Sequence, residues 1–341
     1  MGCAVLLAAR RWPSVVGVAT SPLLALPTMA ADLERIEVAL RHAVRTSDDY
    51  LTEIASHLIV AGGKRLRPVM SVVAALTGGA EASDGVVQGG VSVELVHIGS
   101  LYHDDVMDEA EMRRAVPSVN ARWGNHRAIL SGDFLLARAS EIAASLGAEV
   151  AGLLGATIGR LVEGQISELR TQYDPGRPES EYLRSIQGKT ASLFSAAARI
   201  GGIVAGLTRP QIEALTEFGL AYGMVFQIVD DILDLTATEA QLGKPAGHDM
   251  VEGVYTLPVL RTLAAGGAAA GELADLLGSP LHGIPLDKAL ALVRAGDGLA
   301  SAQAVARTYA DRGAAALGPL PESAASVALS QAGFALLDSL G

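Results

Sequence analysis

"LYHDDVMDEAEMRR" occupies residues 101–114, and the rest of the chain is read outward from it. Five acids fall between Asp104 and Glu111, paired arginines close the stretch, and an apolar helical pattern leads into it from about Val87. Carboxylates this close repel one another, so the arrangement is stable only around positive charge. Residues four apart share a helix face, which stacks Asp104 and Asp108 one turn apart with Asp105 beside them. "FQIVDDILDLT", residues 226–236, repeats the geometry with Asp230, Asp231 and Asp234. A lone triplet of this kind is common on a solvated helix. The second copy, however, lies among Ile228, Val229, Ile232 and Leu233, where burial is expected and unpaired acids are costly without a cation. Carboxylates at this spacing suit Mg²⁺, which keeps water ligands and completes its shell with phosphate oxygens.

The lysines point the same way. The chain has four, Lys64, Lys189, Lys244 and Lys288, and three follow a glycine: "GGKRLRP", "QGKTASLF" and "LGKPAGHD". Glycine before lysine marks loops or helix ends where backbone N–H groups and an ammonium together grip a phosphate. None is a Walker A loop, because the GxxxxGK[ST] spacing is absent. One such lysine reads as a surface residue beside a turn; three together do not. With Arg65, Arg67, Arg113 and Arg114 they describe a cavity for metal and diphosphate.

The bulk composition limits the alternatives. Of 341 residues, 50% are hydrophobic but only 4% aromatic, so aliphatic side chains must fill the core, as in close-packed helices. A net charge of −11 argues against a nucleic-acid partner. The single cysteine, Cys3, excludes an internal disulfide framework and fits a reducing compartment such as the cytoplasm. Residues 1–30 carry Arg10 and Arg11 and a proline-broken apolar run. They read as an N-terminal extension that is a targeting peptide, unstructured, or absent because translation starts at Met29. Residues 31–341 form one all-α domain. Its expected helices include "ADLERIEVALRHAV", with Leu33, Ile36, Leu40 and Val44 on one side, and segments near 127–147, 149–169, 179–201, 210–235 and 256–265. Small-residue helices follow from Thr262 to Pro321.

In order, "GGKRLRP", "HDDVMDEAEMRR", "GKTASLF", "FQIVDDILD" and "GKPAGHDMVEGVYTLP" resemble the motifs of the trans-type isoprenyl diphosphate synthases, the polyprenyl synthetase family. The likeness runs from about residue 33 to 335. It implies an all-α, isoprenoid-synthase-type helical bundle around a deep central cavity, usually in a homodimer. It also implies head-to-tail condensation of isopentenyl diphosphate with an allylic diphosphate. By resemblance, Asp104, Asp105, Asp108, Asp230, Asp231 and Asp234 hold Mg²⁺. Arg113, Lys189 and Lys244 take the allylic diphosphate, while Lys64, Arg67, His97 and Arg114 take isopentenyl diphosphate. Thr190 and Gln227 match positions that face the allylic cation. Val254 and Tyr255 stand where short-chain members often place a lysine, and Gln165 where many relatives carry an acid.

Five residues before Asp104, Gly99 lies about 7.5 Å along the helix. Short-chain members often block that level with an aromatic side chain; Gly99 and Ser100 therefore imply an open passage and a long polyprenyl product, such as a quinone tail. Alternatively, Gly99 permits close helix packing, with Ser92, Leu95, Phe134 or Tyr102 setting the floor. Two other readings of the chain are a farnesyl or geranylgeranyl diphosphate synthase, and a non-catalytic subunit of a heteromeric synthase. Membrane contact, if any, is expected to be peripheral.

Overall fold

Most helix boundaries have a local cause. In the computed structural model, which describes residues 21–237 and 246–340, α1 (Met29–Ala43) buries Ile36 and Leu40, and Val44 caps it. Helix α2 (Asp49–Ala61) starts where the Asp48 carboxylate accepts hydrogen bonds from the N–H groups of Tyr50 and Leu51. It stops at Gly62, whose φ of 102° no side-chain-bearing residue adopts easily. Helix α3 (Leu66–Leu76) follows directly, and α4 (Asp84–Met107) is capped by the Ser83 hydroxyl.

Helix α4 is buried on nearly every side from Val86 to Val96, as expected of a helix whose apolar residues form no single stripe. It packs against α3, α6 (Asn125–Ser145) and α9 (Ser192–Val204). Helix α10 (Arg209–Thr236) opens with a Thr208–Gln211 capping box and runs along α9. Its length and composition would allow it to cross a membrane, yet 67% of its most apolar window is buried inside the protein. α4 and α10 are thus the core rods that end in the two aspartate clusters.

The remaining elements are α5 (Val119–Trp123), α7 (Ala148–Arg170), α8 (Glu179–Ile186), and, beyond α10, α11 (His248–Val251) and α12 (Leu257–Ala264). The small-residue region forms α13 (Gly267–Leu276), α14 (Ile284–Ala295) and α15 (Gly298–Ala316), before the closing helix α16 (Ala324–Asp338).

The structure differs from the sequence expectation in three places. Residues 21–30, assigned to the extension, belong to the folded body: Leu23 in the 3₁₀ turn Pro22–Ala25 and Met29 are fully buried. The other extension residues, 1–20, lie outside the described part. The helix expected over 179–201 is interrupted by a π turn, Gln187–Ala191, between α8 and α9. Finally, the acidic helix ends at Met107, and the paired arginines lie on a hairpin of β1 (Met112–Arg113) and β2 (Val116–Pro117).

Candidate active site

Asp104 and Asp105 occupy the last turn of α4, and Asp108 caps it, its N–H donating to the Asp104 carbonyl at 2.8 Å. The one-turn stacking of Asp104 and Asp108 is therefore present. Burial pushes the Asp104 carboxyl up, opposed by Lys189 and Arg113. Burial also pushes Asp108 up to about 6, with Glu252 and Asp104 adding to the shift. Asp105 is fully buried; Arg113 donates to its Oδ1 from Nε at 2.6 Å, while its Oδ2 has no hydrogen-bond partner.

The hairpin explains the paired arginines. Arg114 and Ala115, at φ 54° and 61°, form a two-residue turn of the left-handed kind that matches strand twist. Glycine or asparagine is usual there, so the backbone is strained. The turn divides the pair: Arg113 engages Asp105, whereas Arg114 donates to the carbonyls of Leu58, at 2.8 Å, and Gly62.

The second cluster is held differently. Asp230 is exposed, while Asp231 and Asp234 are 2% and 4% exposed. The Tyr182 hydroxyl donates to Asp231 Oδ2 at 2.5 Å and Gln227 Nε2 donates to Oδ1 at 2.8 Å. Gln227 Oε1 in turn accepts from the Thr190 hydroxyl at 2.7 Å. Burial raises Asp231 to about 7 despite the Tyr182 and Gln227 hydrogen bonds, with Asp230 and Asp234 raising it further.

Lys189 and Thr190 sit on the π turn, a distortion typical of functional sites. Its cause is a close helix crossing. A Cβ on Gly188 would lie 2.6 Å from the Arg160 carbonyl oxygen, and one on Gly164 would lie 2.6 Å from the Lys189 nitrogen. Lys189 Nζ donates to Glu168 Oε1 at 2.8 Å. Burial opposes its charge, but Glu168, Asp104 and Asp108 together raise the ammonium's pKa. Burial lowers the pKa of Lys64, which Asp230 partly offsets. Each lysine therefore feels a different aspartate cluster. Lys244 lies outside the described residues.

Arg67, His97 and Arg114 form a half-buried basic wall. Arg67 lies 4.8 Å over the Phe194 ring with its Nε unpartnered, and burial brings it down to about 10, with Glu94 opposing and Arg114 adding. Burial, then Arg67 and Arg114, push His97 well below its ordinary pKa, so at neutral pH it is uncharged. Arg65 is not part of this wall. It turns at φ 51° and spends its donors on Glu37, Glu94 and the Ile59 carbonyl.

The expected opening at Gly99 is absent. A Cβ there would meet the Gly132 carbonyl oxygen at 3.1 Å and Leu135 Cβ at 3.4 Å, so Gly99 seats α4 against α6. Ser100 is half-buried and returns its hydroxyl to the His97 carbonyl at 2.9 Å. Tyr102 is buried and tied to the Ile54 carbonyl at 2.8 Å.

Four partners escaped the sequence reading: Glu168 to Lys189, Tyr182 to Asp231, Glu94 to Arg65, and Glu252 near Asp108. Only Glu168 carried a signal, as an acid one turn beyond the neutral Gln165.

The site suits a divalent cation. Among the described residues no three His, Cys, Asp or Glu side chains converge enough to hold a metal alone. The carboxylates of both clusters are of the kind a hard cation takes one or two at a time, its shell completed by phosphate oxygens and water. The buried, unpartnered Asp105 Oδ2 is a further available donor.

The polyprenyl synthetase family model matches residues 48–283. The nonaprenyl diphosphate synthase of Mycobacterium tuberculosis is 39% identical, over 90% of this chain and 92% of its own. The fold matches the Caulobacter crescentus polyprenyl synthase complexed with calcium and isoprenyl diphosphate, with a TM-score of 0.86, 33% identity, and 95% and 98% of the two chains covered. It also matches the Corynebacterium glutamicum geranylgeranyl pyrophosphate synthase complexed with calcium and isoprenyl diphosphate, with a TM-score of 0.82, 37% identity, and 93% and 99% covered. Family match, full-length relatives and all-helical architecture agree: the chain belongs to the polyprenyl synthetase family of prenyltransferases.

Proposed function

We propose that this prenyltransferase is a Mg²⁺-dependent synthase that adds isopentenyl diphosphate head-to-tail to an allylic diphosphate, releasing a long trans-polyprenyl diphosphate. The observation that carries this reading is that each aspartate cluster has a half-buried lysine within its electrostatic reach, Lys189 by Asp104 and Lys64 by Asp230. Asp104, Asp105 and Asp108 of the first cluster and Asp230 and Asp234 of the second would hold magnesium, which when bound neutralises the departing pyrophosphate, with Asp231 beside them. Lys189 and Arg113, with Lys244, grip the allylic diphosphate. Arg67, His97 and Arg114, with Lys64, hold isopentenyl diphosphate, His97 donating as neutral imidazole. The C1–O bond of the allylic substrate breaks, the isopentenyl double bond attacks C1, and a proton leaves to the pyrophosphate. The Thr190 hydroxyl and Gln227 carbonyl present oxygen dipoles to the developing cation.

A long product draws support from the nonaprenyl synthase relative, and no longer from Gly99; the geranylgeranyl synthase likeness keeps the shorter product as the alternative outcome. A homodimer is proposed from α7. Its exposed Gly152, Gly155, Gly159, Val162, Ile166 and Leu169 alternate at spacings of three and four, the seam of a paired helix. Exposed Leu130 of the neighbouring α6 adds to the apolar surface. The cytoplasm is the proposed location, with membrane contact limited to handing over the product; cell fractionation tests it.

The deciding experiment incubates the purified protein with isopentenyl diphosphate, farnesyl diphosphate and Mg²⁺, and sizes the products with and without EDTA. An EDTA-sensitive ladder well beyond twenty carbons is expected. A stop at fifteen or twenty carbons from a shorter primer refutes the long product, and no turnover by the homomeric protein refutes the synthase reading in favour of a partner-dependent subunit.

A further inference from the structure

The second aspartate of the α10 cluster is built into the wall of the site. Asp231 accepts from Tyr182 on one oxygen and from Gln227 on the other, and it is 2% exposed. Its neighbour Asp230 is exposed. The donors are held in place: Tyr182 is buried at 1% exposed, and Gln227, half-buried, is locked by the Thr190 hydroxyl at 2.7 Å. The hydrogen-bonded chain Tyr182–Asp231–Gln227–Thr190 therefore closes a loop through α8, α10 and the π turn. Between Tyr182 and Thr190 in sequence lies Lys189.

The near end of this loop is fastened twice more. The Ser185 hydroxyl donates to the Gly164 carbonyl at 2.8 Å, pinning α8 to α7. The buried Arg177 guanidinium lies 5.6 Å over the Tyr182 ring and donates to the Tyr255 carbonyl at 3.4 Å. A phenol held this way is in no position to touch substrate. Its hydroxyl has one evident task, to fix a carboxylate.

We infer that Tyr182 is a positioning residue that makes Asp231 a strut, setting the distance from the Lys189 ammonium to Asp230 and Asp234, and that Asp231 does not itself ligate the cation. The inference rests on the proposed synthase reading. A buried carboxylate that bridges two fixed donors keeps its geometry whether or not metal is bound, so the charges around a departing pyrophosphate are arranged before the reaction starts.

The test compares Asp230→Asn, Asp231→Asn and Tyr182→Phe with the parent protein. Mn²⁺ binding in the presence of pyrophosphate is followed by electron paramagnetic resonance of the free ion, and kcat and KM are measured in parallel. An asparagine at 231 can accept from Gln227 and donate its amide to the Tyr182 oxygen, so the strut survives. Asp231→Asn is thus expected to keep Mn²⁺ affinity within about threefold of the parent, whereas Asp230→Asn loses about tenfold or more. Tyr182→Phe is expected to lower kcat about tenfold while KM and Mn²⁺ affinity hold. The Tyr182→Phe/Asp231→Asn double variant should fall no further than Tyr182→Phe alone, because both changes act on one contact.

Two outcomes overturn the inference: Asp231→Asn weakening Mn²⁺ as much as Asp230→Asn, or Tyr182→Phe turning over like the parent. Thermal melting of each variant accompanies the assays. If Tyr182→Phe does not fold, the Asp231→Asn and Asp230→Asn comparison decides alone. A parent protein that neither binds Mn²⁺ with pyrophosphate nor turns over refutes the synthase reading itself, an outcome distinct from either of these.

Discussion

The two aspartate clusters share a sequence pattern and little else. The first ends a helix: Asp108 is a C-cap, the chain then turns at Glu109 with φ 50°, and Arg113 reaches back from a strained hairpin. The second is embedded in the final turns of a 28-residue core helix, with Asp231 bonded from two sides. One cluster is positioned by backbone that can give, the other by a closed hydrogen-bond loop. The same DDxxD spacing thus supplies an adjustable clamp and a fixed one, and each can be perturbed without the other.

The largest effect is expected from Asp104→Asn, which removes charge at the centre of the first cluster. Turnover should fall about 10²–10³-fold, the usual cost of losing one preorganised electrostatic group. Steady-state kinetics checks this, and a loss under tenfold would assign the cluster a lesser role. Next comes Gly164→Val, which drives a side chain into the π turn that carries Lys189. Overpacking of this kind costs about 1–3 kcal/mol, visible as a lower melting temperature, and the displaced ammonium should raise the KM for the allylic substrate as well.

The pH response sharpens the contrast further. Asp108 and Asp231 are raised from 3.8 to about 6 and about 7. Between those limits the folded protein binds more protons than the unfolded chain, so without metal its stability falls as pH rises through this window. Melting in EDTA from pH 4 to 7.5 should show this decline. Mg²⁺ with pyrophosphate should flatten the decline, by favouring the ionised carboxylates. The smallest change is Ala115→Gly, which relieves a left-handed φ of 61° and is expected to add about 0.5–1 kcal/mol of stability. The extra freedom falls next to the adjustable clamp, so any cost in activity should appear with the allylic substrate.

How far the sequence could be read follows the same division. Both aspartate triplets on helix ends, Lys64 and Lys189 beside them and the long buried helices were legible, because each depends on local spacing. The π turn was not: its residues suit an ordinary helix, and the bulge comes from Gly164 and Gly188 meeting across two helices. Gly99 misled for a related reason. A glycine signals a missing side chain, but only the packed α6 shows that the vacated volume is occupied by Gly132 and Leu135. Tyr182 was silent because a tyrosine in a helix looks the same whether its hydroxyl meets solvent or Asp231. The hairpin went unforeseen because its turn lacks the glycine or asparagine that announces one.

Helix α7 has two faces with different duties. Outward it presents the row from Gly152 to Leu169; inward, Gly164 abuts the π turn and Glu168 holds the Lys189 ammonium. A rigid rod cannot shift on one side alone. In the proposed homodimer, a slip at the outer row would therefore be felt as a change in the charge arrangement around the leaving group, and dilution that parted the two subunits would retune each site before it unfolded either chain.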